Sequence, residues 1–149
     1  MIRPLRTILL SLGIALAIAG AHAADLASPA GVWTTYDDKT GDARGVVRIY
    51  EQDGKLFGRI EKSFKPGSQE RVCALCTDER KDHSILGLII MRNMQANGDE
   101  YAGGDILDPE TGAIYRCKMH LTEHGTRLVL RGYIGFSLLG RTQTWQRQN

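Results

Sequence analysis

The chain has 149 residues, 42% of them hydrophobic, with 19 Lys and Arg set against 17 Asp and Glu for a formal net charge of +2. That length supports one domain around one core. The two signs of charge are interspersed along the chain, so it lacks the basic patch of a nucleic-acid binder or an anionic-membrane binder.

The first segment reads as a targeting sequence. Arg3 and Arg6 form a short positive region, an apolar run follows from Thr7 to Gly20, and Ala21-His22-Ala23 supplies the small-x-small pattern of a cleavage site. The run is 14 residues long, short of the roughly 20 that span a bilayer. No stable membrane anchor is therefore expected, and no cysteine near the cleavage site offers a lipid acceptor. Residues 1–23 are expected to be a signal peptide and residues 24–149 a mature, periplasmic or otherwise secreted domain. Without Arg3 and Arg6, 17 basic residues face 17 acidic ones, so the mature chain is close to neutral.

The mature part reads as short strands separated by turn residues. The first strand is predicted at Gly31–Tyr36, followed by a polar loop from Asp37 to Asp42. The second, Val46–Glu51, ends in Gln52-Asp53-Gly54, whose Asp-Gly pair is a strong hairpin signal. The third is Lys55–Lys62. A long loop, Ser63–Ser84, carries Pro66, Gly67 and a Cys73-x-x-Cys76 pair. Ile85–Met91 is an apolar run whose periodicity fits strand or helix equally, and its adjacent isoleucines favour strand.

After a turn at Gln95–Asp99, strand five is Glu100–Leu107. Asp108-Pro109-Glu110-Thr111-Gly112 has strong turn chemistry. Strand six, Ala113–Thr122, alternates clearly: Tyr115, Cys117, Met119 and Leu121 on one face, Arg116, Lys118 and His120 on the other. Strands seven and eight are Thr126–Tyr133 and Arg141–Arg147. Eight sequential strands with mostly short turns predict an all-β, single small antiparallel up-and-down β-barrel, closed so that no edge is left exposed.

Gly31-Val32-Trp33 opens the first strand as the G-x-W motif opens lipocalins and related calycin barrels. Together with Cys73-Ala74-Leu75-Cys76, Gly103-Gly104-Asp105-Ile106-Leu107-Asp108-Pro109, Arg131-Gly132-Tyr133 and Gly140-Arg141-Thr142-Gln143-Thr144-Trp145, it makes the mature chain resemble the secreted bacterial family called domain of unknown function 2147. The resemblance implies a small lipocalin-like barrel and no established activity, and a fold by itself supplies none.

Cys73, Cys76 and Cys117 are the three cysteines, and an oxidising compartment favours one disulfide and one remaining thiol. Closing the short Cys73–Cys76 ring is worth about 2 kcal/mol on the chain-entropy model, and a Cys73–Cys117 bridge about 4. Geometry decides between them. Zinc held by Cys73, Cys76, His83 and either Asp82 or His124 lacks a second ligand pair at finger spacing. A redox role lacks the βαβ context that lowers a thiol pKa. No nucleophile-elbow, phosphate-loop, zinc-protease or dinucleotide motif occurs, so no enzyme, metal site or cofactor is expected.

If the strands alternate up and down, the connections Asp37–Gly45, Ser63–Ser84, Asp108–Gly112 and Ile134–Gly140 gather at one end. The last of these is unusually apolar for a loop. Tyr36, Phe64, Phe136, Leu138 and Leu139 are therefore candidates for the mouth of a barrel that binds a small apolar or amphipathic ligand. The alternative is a cell-envelope protein-interaction module with a filled barrel. At the other end, closure makes strands one and eight neighbours. Gly31, Trp33 and Arg147 are then expected to form a structural cluster, with the guanidinium of Arg147 covering the indole of Trp33. Arg131 is the competing residue for that position.

Overall fold

The computed structural model describes residues 27–149, so the expected signal segment and its cleavage site lie outside the described residues. Eight strands follow in order: β1 Gly31–Tyr36, β2 Ala43–Gln52, β3 Lys55–Ser63, β4 Ile89–Asn97, β5 Glu100–Leu107, β6 Ile114–Thr122, β7 Arg127–Tyr133 and β8 Gly140–Arg147. Each pairs antiparallel with its sequence neighbours, and β8 returns to pair with β1 through Trp33↔Arg147 and Thr34↔Gln146, closing the barrel. Closure leaves every strand with two hydrogen-bonded neighbours and removes the edges on which another chain could add.

The fourth strand differs from its sequence expectation of Ile85–Met91: it begins at Ile89 and runs to Asn97. Ile85 and Leu88 are buried, but they reach the core from a loop. The Ile85 N–H donates to the Arg71 carbonyl and the Gly87 N–H to that of Ile60, with Gly87 at φ +87°. The second half of β4 is disguised by a bulge. Asn93 has φ +58°, and Leu56↔Met94 and Gly58↔Met91 set three residues of β4 against two of β3. Met91 and Met94 both point inward in consequence, which breaks the period-two pattern that marks a strand.

The long β3–β4 connection is tied down at several points. The side chain of Arg80, 4% exposed, binds Asp78 at 2.6 Å and donates to the Ile89 carbonyl at 3.0 Å. Arg92 of β4 reaches Asp78 at 3.5 Å, Glu79 at 2.5 Å and Asp105 of β5 at 3.3 Å. The β5–β6 turn packs onto the same connection. A Cβ on Gly112, which has φ +73°, would stand 1.9 Å from the Leu75 carbonyl oxygen, so only glycine meets both demands there.

Candidate functional site

The two ends of the barrel are built differently. At one end Trp33, Ile49, Leu56, Met94, Met119 and Leu128 are almost fully buried and fill the interior. Trp33 is fixed by Pro29 and Arg147. Its indole N–H donates to the Pro29 carbonyl at 2.9 Å. The guanidinium carbon of Arg147 lies 4.3 Å from its ring centroid. Arg147 also donates to the carbonyls of Gly125 at 2.7 Å, Ala30 at 2.9 Å and Ser28 at 2.6 Å. Gly31 belongs to this cluster because a Cβ there would lie 2.5 Å from Arg147 Nη1. The competing candidate, Arg131, lies elsewhere. It donates to the Ser137 and Leu138 carbonyls and to the Thr142 hydroxyl, bracing the β7–β8 loop.

The other half of the barrel is hollow. A cavity of about 680 Å³ opens at the end that carries the four longer connections. Its walls are Val47 from β2, Ile60 from β3, Ile85 from the β3–β4 connection, Ile90 from β4, Leu130 from β7 and Trp145 from β8. The filled-barrel alternative is thereby corrected: the interior is solid only at the Trp33 end. Trp33 meets methionine and leucine side chains across the closed end, while Gly132 lines the open one.

Charged groups ring the opening. Arg44, Lys62, Lys65, Arg71 and Arg141 line it, with Asp108 and Glu110. Three of the cations converge on one carboxylate. Arg44 Nη2 lies 2.7 Å from Glu110, Lys65 is hydrogen-bonded to it, and Arg71 Nη2 approaches to 3.8 Å. Burial pushes the Glu110 carboxyl up, but the hydrogen bonds and charges of Lys65 and Arg44 outweigh that and hold it at about 2. Outside this ring Asp37 lies 3.6 Å from Arg44, and Asp38 pairs with Arg141. Asp108 accepts the backbone N–H of Glu110, which fixes the turn.

The five residues expected at the mouth divide. Tyr36 and Leu139 line the cavity. Phe64, Phe136 and Leu138 do not, and they are 52%, 80% and 88% exposed. Their loops were correctly placed at this end, but a loop residue has no alternation to fix which way it faces. Sequence reasoning missed Arg44, Lys65, Arg71 and Glu110, which come from the start of β2, the β3–β4 connection and the β5–β6 turn and share no local spacing.

The disulfide joins Cys73 to Cys76, and Cys117 is free and buried. The longer Cys73–Cys117 bridge does not form. Cys73 sits beneath the β5–β6 turn, its sulfur 3.6 Å from the Pro109 carbonyl oxygen, while Cys117 is in the middle of β6 opposite Gly104 and Gly132. The bridge also occupies both sulfurs that the zinc arrangement would need. No group of three or more potential metal-ligating side chains occurs among the described residues.

Comparison with known proteins agrees with this architecture. The family model DUF2147, described as an uncharacterized protein conserved in bacteria, matches residues 31–147. No curated protein matches the chain. Among solved structures, protein HP1028 from Helicobacter pylori, described as belonging to the lipocalin family, superposes with a TM-score of 0.70. The two are 19% identical over 80% of this chain and 82% of that one, a likeness of fold.

Proposed function

The chain belongs to the bacterial DUF2147 family, and we propose that it is a binding protein which takes a small apolar or amphipathic molecule into one end of its barrel. The observation that carries this reading is the cavity of about 680 Å³ with apolar walls and a charged mouth. Small-molecule sites are concave, mostly apolar and about 300–1,000 Å³ in volume, with a few polar groups that orient the guest. An eight-stranded barrel is just wide enough for one such molecule.

We further propose that the protein acts outside the cytoplasm, in a bacterial periplasm, after removal of residues 1–23. The charged, apolar and small-residue order of that segment supports this, as does the Cys73–Cys76 disulfide, a bond at home in an oxidising compartment.

Titration with the neutral fluorophore N-phenyl-1-naphthylamine tests the binding reading. Saturable uptake of one probe per chain is expected, lost in Val47→Trp, which fills the cavity while keeping an apolar wall. A wild-type protein that leaves the probe unchanged would remove the reading. A second reading rests on a separate observation. The β7–β8 loop exposes Ile134, Phe136 and Leu138 by 65%, 80% and 88%, and a contiguous exposed apolar surface fits a protein partner in the cell envelope. Native mass spectrometry of protein purified from its host separates the two: a retained small molecule supports the first, a co-purifying protein the second.

A further inference from the structure

We infer that the guest of this cavity is a monoanionic amphiphile, its tail in the barrel and its negative headgroup held at the mouth by Lys65 and Arg71, in competition with Glu110. The inference rests on the binding reading above and adds the chemical class of the ligand.

Counting the mouth charges leads to the headgroup. Five cations line the opening, and four carboxylates face them: Glu110 and Asp108 within the lining, Asp37 and Asp38 behind it. One positive charge is left over, enough to match one monovalent anion. The surplus is concentrated where Arg44, Lys65 and Arg71 share Glu110. Arg44 has a second carboxylate in Asp37, whereas among the described residues the one ion pair of Arg71 is with Glu110, at 3.8 Å, longer than a hydrogen bond. Arg71 therefore has donors to spare, and a guanidinium fork matches a planar two-oxygen headgroup.

The same arrangement discriminates against other heads. A neutral alcohol gains the apolar walls but leaves the cationic surplus unmatched. An ammonium adds a sixth cation to the ring. A carboxylate both satisfies Arg71 and lowers the local field, in a partly desolvated site where such pairing counts for more than in bulk water. Glu110 occupies the place of that anion when the cavity is empty. It keeps the cations gathered and sets the affinity a guest must exceed.

Dodecanoate, dodecan-1-ol and dodecyltrimethylammonium share one tail and differ in headgroup, so their displacement of N-phenyl-1-naphthylamine from the wild-type protein is the test. Dodecanoate is expected to bind at least about tenfold more tightly than the alcohol, the size of one charge-assisted hydrogen bond, and the ammonium more weakly than either. Arg71→Gln should erase the preference for dodecanoate and leave the alcohol unchanged. Glu110→Gln should tighten dodecanoate, a gain that a misfolded variant cannot imitate. Equal binding of all three heads, or a preference for the ammonium, would overturn the headgroup inference while leaving the cavity reading intact. Failure of all three, with no uptake of the fluorophore itself, would overturn both.

Discussion

Replacing Arg147 with leucine removes the side chain that ties the closed end together. Arg147 is 8% exposed, and its guanidinium makes three hydrogen bonds to carbonyls of Ser28, Ala30 and Gly125 and lies over Trp33. Hydrogen bonds from a charged donor contribute about 1.5–3 kcal/mol each. The lower value applies where water can reach a freed carbonyl, so the three together are worth about 4.5 kcal/mol. The stack on the indole adds about 1 kcal/mol, and leucine regains about 1.5 kcal/mol by apolar burial. The expected net loss is about 4 kcal/mol, out of the roughly 5–15 kcal/mol that hold a domain folded. At about 4 °C per kcal/mol for a domain of this size, the melting temperature should fall by roughly 15 °C. Urea unfolding followed by far-UV circular dichroism measures this without relying on Trp33 emission, which the substitution itself changes. Arg147→Lys keeps a charge near the ring but loses the fork, and should lie between the two. A loss below about 1 kcal/mol in Arg147→Leu would refute the assignment of the closed end to this residue.

Three further outcomes follow from the same geometry. Burial, and secondarily the charge of Asp105, pushes the Cys117 thiol up to about 12, so Ellman's reagent should find no thiol in the native protein, one in denaturant without reductant, and three after reduction. Three reactive thiols in denaturant before reduction would contradict the Cys73–Cys76 bridge. Glu110, facing Arg44, Lys65, Arg71 and Asp108, titrates at about 2 when folded against an ordinary 4.5. A depressed carboxylate stabilises above its unfolded pKa and loses that contribution as pH falls through the folded value. Stability should therefore decline between about pH 4.5 and 2, and Glu110→Gln should make that decline shallower; Asp78, held at about 2 chiefly by hydrogen bonds from Arg80, accounts for part of the remainder. Finally, intact-mass analysis of exported protein should place the N-terminus at Ala24 or within a residue or two, and retention of Met1 on exported material would contradict the signal-peptide reading.

Much of the frame was legible because it depends on short-range patterns. Asp53-Gly54 and Asn97-Gly98 mark hairpins, β6 alternates cleanly, and parity alone gathers alternate connections at one end. Strand parity also made Trp33 and Arg147 neighbours once the meander was taken as closed. The fourth strand was misplaced because Asn93 interrupts its alternation, while Ile85 and Leu88 supply a convincing apolar run from a segment that is not a strand. The mouth charges were illegible for a different reason. Glu110 reads as an ordinary turn residue, and only the folded chain brings Lys65 and Arg71 to it from a connection more than one strand away. Phe64, Phe136 and Leu138 show the converse: placing their loops at the open end did not settle whether they line the cavity.

The solid floor formed around Trp33 makes the barrel a cul-de-sac. Whatever enters passes Arg44 and Glu110 on the way in and must pass them again on the way out, because Arg147 and the methionines close the far side. A newcomer cannot push a resident molecule through from behind. If the barrel binds as proposed, replacement is therefore ordered, departure first and arrival second, at a rate independent of how much competitor waits outside.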